Sequence, residues 1–364
     1  MKNKTVIYAI INWGLGHATR SAPIIRRMTD DGNRVILASH GKALSLLEKE
    51  FPECECLDIR DRNVSYPHFR SMFVFKIVAQ LPKMIAGWIY ERRTVRKLIK
   101  NYQPDLIITE MRLGFWSKRV PSVLITHQLR FNLPKHLAWA GIFGEWFNRL
   151  VFRHYNYVFV PDAAGEPNLS GELSHKGRIA RHPKVRYIGC LSSILPSDPP
   201  PAADLDLLVS ISGPEPQRTK FEQKVMEQLP GLRGNILAVL GLPDAGDKNT
   251  EWNEGAVRVR AHLGRSEMAD AMQRAKRIVC RSGYSTVMEL LALNKAAFFV
   301  PTPGQTEQEY LAEYYRRAGL YDHCKQEDLN LQEILQKDPA PVKKNSIPVN
   351  DLDRISDLLD SLCR

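Results

Sequence analysis

The chemistry-bearing residues of this 364-residue chain fall into a few short stretches. The first is Asn12-Trp13-Gly14-Leu15-Gly16-His17-Ala18-Thr19-Arg20. Gly14 and Gly16 permit a tight turn and close approach of a ligand to the backbone. The opening N–H groups of the helix that starts there attract an anion or oxyanion. His17 is a candidate general base near neutral pH; its plainer alternative is a capping histidine that moves no proton. A dinucleotide fingerprint would need a third glycine where Thr19 stands, and an acidic residue where Ser39-His40 end the second strand. NAD binding is therefore not expected.

The second stretch is Cys280-Arg281-Ser282-Gly283-Tyr284-Ser285-Thr286-Val287-Met288-Glu289. A strand, a Ser-Gly turn and a helix put Ser282, Gly283, Ser285 and Thr286 where a helix N-terminus receives a diphosphate. The Glu289 carboxylate, one turn further on, can accept hydrogen bonds from both hydroxyls of a ribose. A capped helix with a surface Glu is the alternative. Next, a short strand ends in Val300-Pro301-Thr302-Pro303-Gly304, followed by Gln305, Glu307 and Gln308. Such a loop faces the ligand crevice of an open sheet. In Ser210-Ile211-Ser212-Gly213-Pro214-Glu215-Pro216-Gln217-Arg218, Ser212 and Gly213 can approach a phosphate and Arg218 can pair with it. Pro214 and Pro216 remove two N–H donors from that loop. Glu110 and His127-Gln128 end further strand-like runs and face the same kind of ligand crevice. For Glu110 the competing reading is a cap or an ion pair with Arg112.

Strand-like runs at Val6–Ile11, Val35–Ala38, Asp105–Thr109, Val123–Thr126 and Tyr157–Val160 alternate with helical patterns. Runs apolar throughout argue for a parallel, doubly wound sheet covered on both faces. After the Pro-rich Leu195–Pro201 the pattern restarts, with strands near Asp206–Ile211, Ile236–Leu240, Val257–Ala261, Ile278–Arg281 and Ala297–Val300. The expected layout is an N-terminal Rossmann-like domain (1–195), a stiff linker (196–203) and a second Rossmann-like domain (204–345). A terminal helix (346–364) is expected to return to the first domain.

Six scattered cysteines form no disulfide framework and no zinc spacing, which suits a reducing cytoplasm. No signal peptide is read at Met1-Lys2-Asn3-Lys4, and no apolar run reaches the length of a bilayer span. Of the formal charge of +11, residues 1–190 contribute +15 and the rest −4, so the first half suits an anionic partner. Nucleic acid is not expected, for want of any recognition motif. Two basic, Trp- and Phe-bearing segments, Phe69–Lys100 and Trp139–Arg153, could lie on an anionic membrane surface or pack on the sheet.

The spacing S-G-x-S-T-x-x-E, then a strand ending in Pro and E-Q, resembles the donor site of GT-B glycosyltransferases, and most closely glycosyltransferase family 28. The G-x-G-H loop and the two-domain layout extend the likeness over most of the chain. The resemblance implies a GT-B fold, α/β, with two Rossmann-like domains facing across a cleft, the first an acceptor domain, in which Glu110 and His127-Gln128 are assigned to the acceptor, and the second a nucleotide-sugar donor domain. It implies that Glu289 holds the nucleotide ribose, that Ser282, Gly283 and Ser285 lie at the diphosphate, and that Gln308 with Glu307 contacts the donor sugar. The chain departs from the family at the Ser212 loop, where Gly-Gly-Ser is usual, at Leu311, where Asn is usual, and at Trp13, where a small residue is common.

The chemistry expected is inverting transfer of a sugar from a UDP-linked donor to an acceptor hydroxyl of a lipid-linked or cell-envelope glycan, at the inner face of the cytoplasmic membrane. His17 would be the base, and N–H groups and the helix dipole would stabilise the leaving diphosphate. No cofactor or metal is expected, because the D-x-D pairs Asp204/Asp206 and Asp351/Asp353 read as solvated surface. The alternatives are a UDP-sugar 2-epimerase-like enzyme, which would need a carboxylate pair at the sugar, and a nucleotide- or glycan-binding protein without catalysis.

Overall fold

The structure, a computed structural model, describes residues 1–61, 73–130, 141–242, 251–254, 257–337 and 346–363. The chain forms two compact units, Met1–Ser193 with Ile347–Arg364, and Ile194–Ser346.

The first unit opens with β1 (Thr5–Ile10), α1 (Gly16–Asp30), β2 (Arg34–Ser39), α2 (Gly41–Glu50) and β3 (Glu55–Asp58). It continues with α3 (Phe73–Tyr102), β4 (Leu106–Glu110), β5 (Ser122–Ile125), α4 (Gly141–Phe152), β6 (Tyr157–Val160), α5 (Glu172–His175) and β7 (Val185–Tyr187). All strands are parallel, in the order β3-β2-β1-β4-β5-β6-β7. The central strands β1 and β4 are buried almost end to end because helices cover both faces of the sheet, which is why their sequences show no polar alternation. Ile7, Ala9, Ile36 and Ile107 pack with Val95 and Leu98 of α3 in one core. A buried ion pair fixes the loop after β4: Arg112 Nε donates to Glu91 Oε1 (2.9 Å) and Gly114 N to Glu91 Oε2 (2.9 Å).

The second unit runs β8 (Leu207–Ser210), α6 (Gln217–Met226), β9 (Ile236–Val239), β10 (Glu251–Glu254), β11 (Val257–Arg260), α7 (Arg265–Arg274) and β12 (Ile278–Cys280). There follow α8 (Tyr284–Ala292), β13 (Phe298–Phe299), α9 (Thr306–Arg317), β14 (Asp322–His323) and α10 (Leu331–Gln336). The sheet order is β10-β11-β9-β8-β12-β13-β14, with only the edge pair β10–β11 antiparallel. Phe221 and Val225 of α6 pack on Leu207, Val209 and Ala238. Ser197 N donates to Gln273 Oε1 of α7 (2.7 Å), and the Pro-rich stretch falls within the second unit. The last helix, α11 (Leu352–Asp360), belongs to the first unit: Arg27 of α1 pairs with Asp353 (2.8 Å) and the Met1 ammonium with Asp360 (2.5 Å).

Candidate functional site

Each sheet reverses its strand order beside its central strand, between β1 and β4 and between β8 and β12. At such a switch point the loops at the carboxyl ends splay apart and leave a crevice.

In the first unit Glu110 is the last residue of β4, in register with Ile10 of β1, and its carbonyl accepts from Ile11 N (3.1 Å). The loop out of β1 is held by Asn12, whose N donates to Asp61 Oδ2 (2.6 Å) and whose Oδ1 accepts from Ala43 N (3.1 Å). Gly14 has φ +98°, with open space where a Cβ would stand, so glycine serves the backbone there rather than relieving a clash. His17 then enters α1 with Nδ1 3.0 Å from Glu110 Oε1.

Arg20, one turn on, binds the same carboxylate. Its Nε donates to Glu110 Oε1 (3.1 Å) and its Nη2 makes a second, shorter bond to that oxygen. Arg20 Nη2 also lies 2.7 Å from His17 Nδ1, and Nη1 lies 3.1 Å from His127 Nδ1. Glu110 is fully buried and Arg20 is 2% exposed. Burial alone would raise the Glu110 pKa, but the Arg20 charge and His17 outweigh it and hold the group low, as a carboxylate. Burial and then the Arg20 charge lower the His17 pKa, so the ring is neutral at pH 7. Tyr8, on β1, is raised by burial and then by the Glu110 charge and keeps its phenolic proton. The structure thus joins His17, Glu110 and His127. Arg112 is committed to Glu91 and is not the partner of Glu110. The sequence reading gave Arg20 no role; its position three residues after His17, on the same helical face, was the available signal.

In the second unit α8 opens at Gly283 without a side-chain cap, and Ser285 and Thr286 in its first turn are half-buried. Ser282 is fully buried, and its Oγ donates to Gln308 O (2.8 Å). That hydroxyl ties the loop after β12 to the first turn of α9. Gln308 Oε1 accepts from Thr302 N (2.9 Å), which leaves its amide NH2 as the group to offer a ligand. Glu307 is half-buried in the first turn of α9. Glu289 is half-buried, and its carboxylate has no hydrogen-bond donor among the described residues. Burial pushes it up to about 7, against the charge of Arg265.

After β8, Ser212 and Gly213 are exposed, and Gly213 has φ +122°, a conformation that suits glycine. Arg218 is engaged by its own surroundings. Its guanidinium donates to Glu215 Oε1 (2.5 Å), Glu222 Oε2 (2.6 Å), Thr219 Oγ1 (2.9 Å) and Leu240 O (3.1 Å). The sequence reading overlooked the neighbouring cation that organises this end of the sheet. Arg281, 2% exposed, donates to Ser212 O (3.3 Å), Gln217 O (3.0 Å), Val300 O (2.9 Å), Pro301 O (3.2 Å) and Gln326 Oε1 (2.7 Å). Burial brings its pKa down to about 10. The D-x-D carboxylates are engaged elsewhere: Asp204 with Arg274 (2.8 Å), Asp206 with Lys276 (2.8 Å) and Asp353 with Arg27 (2.8 Å), while Asp351 caps α11. Among the described residues, no group of three or more His, Cys, Asp or Glu side chains is arranged to hold a metal ion.

Two family models match. Residues 233–346 match the glycosyltransferase family 28 C-terminal domain, and residues 4–121 match glycosyl transferase family 1. The UDP-N-acetylglucosamine--N-acetylmuramyl-(pentapeptide) pyrophosphoryl-undecaprenol N-acetylglucosamine transferase of Geotalea uraniireducens is 24% identical over 225 residues, 60% of this chain and 58% of that protein. The chain thus aligns with less than two thirds of that relative's length. Among solved structures, the glycosyltransferase SnogD from Streptomyces nogalater superposes with a TM-score of 0.62 at 13% identity, over 99% of this chain and 100% of that one. MurG of Acinetobacter baumannii superposes with a TM-score of 0.57 at 16% identity, over 98% and 99%. With two Rossmann-like units the chain has the GT-B fold of these glycosyltransferase structures, and its Ser282-to-Gln308 segment lies within the stretch that is similar to the glycosyltransferase family 28 C-terminal domain.

Proposed function

We propose that this chain is an inverting, metal-independent glycosyltransferase that moves a sugar from a UDP-linked donor to a hydroxyl of a lipid-linked or cell-envelope glycan. The observation that carries the reading is Glu289: a half-buried carboxylate on α8, raised to about 7 and lacking a hydrogen-bond donor of its own among the described residues. Two ribose hydroxyls would supply the missing donors. The first turn of α8, opening at Gly283, would take the diphosphate, and Gln308 with Glu307 would hold the sugar. The printed activity of the Geotalea relative, transfer of N-acetylglucosamine from UDP to an undecaprenol-linked acceptor, supports the same donor and acceptor classes.

In this reading the acceptor oxygen attacks the anomeric carbon from the face opposite the diphosphate. The new C–O bond forms as the bond to the diphosphate oxygen breaks, and the configuration inverts. The acceptor proton passes to Nε2 of His17 while its Nδ1–H donates to Glu110. The electron pair leaves on the diphosphate, where helix N–H groups stabilise it. Calorimetric titration with UDP and with other nucleoside diphosphates tests the donor site. Preferential UDP binding that Glu289→Ala weakens is expected; absence of nucleotide binding overturns the reading. Incubation with a UDP-sugar and no acceptor separates transfer from epimerisation, which needs no acceptor.

Contact with an anionic membrane fits the first unit. Ile85, Ile89 and Tyr90 of α3 and Trp146 of α4 are exposed, and Trp88 stacks on Phe147 at 5.3 Å to join the two helices. Arg93, Arg96 and Lys97 on α3 and Arg149 on α4 are exposed beside them. Apolar side chains ringed by cations suit the headgroup layer of an acidic bilayer. Residues 69–72 and 139–140 of the two basic segments lie outside the described residues. No helix among the described residues is long and apolar enough to cross a membrane. Flotation with anionic vesicles at low salt, lost with neutral lipid or with Trp146→Ala, is the expected result.

A further inference from the structure

The polar atoms around His17 pose a proton-counting problem. Nδ1 lies 3.0 Å from Glu110 Oε1, which can only accept, and 2.7 Å from Arg20 Nη2, which can only donate. One ring nitrogen cannot meet both demands at once. If Nδ1 carries a proton it serves Glu110, and Nε2 holds a lone pair. If Nδ1 is bare it serves Arg20, and the proton of the neutral ring sits on Nε2. Only the first form is a base toward a hydroxyl at Nε2.

Counting donors favours the second form at rest. Arg20 Nη2 has two N–H groups and two acceptors in reach, Glu110 Oε1 and His17 Nδ1. Both are used when Nδ1 is bare. Glu110 loses little, because Oε1 already receives Arg20 Nε (3.1 Å) and Nη2. The Nη1 group meets a third acceptor, His127 Nδ1 (3.1 Å). With Nδ1 protonated, by contrast, an Arg20 N–H would face an N–H at 2.7 Å.

We propose that Arg20 is the positioning residue of this site and acts as a tautomer latch, holding His17 with its proton on Nε2 until an acceptor hydroxyl arrives. The assignment rests on the transferase reading for its purpose, but not for its geometry. A hydroxyl donating to Nε2 requires the lone pair there, so its docking favours the Nδ1–H form, in which Glu110 takes over from Arg20. Arg20 keeps its Nε bond to Glu110 throughout and need withdraw only Nη2. Water reaching Nε2 without an ordered acceptor meets an N–H rather than a base, which protects the donor from hydrolysis. The charged and titratable groups facing the ring are Arg20 on its own helix, Glu110 on β4 and His127 after β5, with the phenol of Tyr8 on β1 behind Glu110.

The test is long-range proton–nitrogen NMR of the full chain, labelled with 15N-histidine and free of ligand, at about pH 8, where the imidazoles are neutral. Of the ten histidines, His17 is assigned by the signal lost in His17→Gln. The wild type is expected to carry its proton on Nε2, and Glu110→Gln to leave it there. Arg20→Met is expected to move the proton to Nδ1. Nδ1–H in the wild type overturns the latch without recourse to any variant, as does an unchanged tautomer in a folded Arg20→Met protein. Failure of the transferase reading would appear instead as absence of UDP binding, with the NMR result standing.

Discussion

The two carboxyl-end crevices solve opposite problems with the same fold. In the first unit the charges converge on one another: Arg20 and His17 both meet Glu110 Oε1 and Arg20 reaches His127, while among the described residues only the buried Glu110 Oε2 of this set is left without a partner. In the second unit the buried cation Arg281 spends itself on neutral acceptors, four backbone carbonyls and the Gln326 amide. Glu289 is left without a donor and Gln308 with a spare amide. A prewired charge set suits proton transfer, where the resting protonation state is set in advance and shifts only when the substrate docks. A rigid frame with unmet hydrogen bonds suits binding, because the ligand completes it.

The comparison predicts that damage to the first crevice is felt in turnover and damage to the second in affinity. His17→Ala should lower the transfer rate by about 10²–10⁴-fold, the usual worth of a general base. Its UDP affinity should match the wild type. Initial rates beside calorimetry check this, and a loss confined to UDP binding would reverse the assignment of the two crevices.

Arg281→Met should cost stability first. Five acceptors lose a donor, which we expect to lower the unfolding free energy by roughly 2–4 kcal/mol. Urea denaturation measures it. The loops after β8 and β13, both tied to Arg281, should loosen together, so KM for the donor should rise in whatever protein still folds.

Glu289→Ala removes an acceptor for two hydroxyls and should weaken UDP by ~1.5–3 kcal/mol, about 10- to 150-fold. The carboxyl also gives the binding a pH dependence. It stands at about 7 without ligand, because burial disfavours its charge. Ribose hydroxyls donate to the ionised form, so binding below that pH must expel a proton. Affinity should therefore fall as pH drops through about 7, by up to about tenfold per unit. Calorimetry in buffers of different ionisation enthalpy would detect the released proton, and Glu289→Gln should flatten the profile.

The sequence made the architecture legible where local pattern and burial agree. Val6–Ile11 and Ile236–Leu240 read as buried parallel strands because both faces are covered, and they fold as β1 and β9. The edge strands β3, β7, β10 and β14 were missed. They are short, and Glu55–Asp58 and Asp322–His323 carry exposed polar residues, so no apolar run announces them. At the sites, helix-opening motifs exposed His17, Gly283 and Glu289, since a loop, a cap and a turn of helix are local. Arg20 and Arg281 stayed silent because their partners lie far along the chain: Glu110 is 90 residues from Arg20 and Val300 is 19 from Arg281. Buried arginines are defined by what surrounds them, which local spacing does not encode.

Arg218 shows the converse, a residue whose local setting suggests a ligand and whose contacts deny it. A diphosphate recruiting its guanidinium would have to displace the carboxylates of Glu215 and Glu222, which bind it at 2.5 and 2.6 Å. Those three groups together carry a net negative charge, so the cluster repels a second anion rather than inviting it. Arg218→Ala should therefore change UDP affinity by less than about threefold, well under ~1 kcal/mol, the smallest effect of the set. A tenfold loss in calorimetry would mean that Glu215, which is largely exposed, swings away when donor binds. The second crevice would then resemble the first in rearranging its charges around the substrate, and the contrast between a prewired site and a site completed by its ligand would have to be given up.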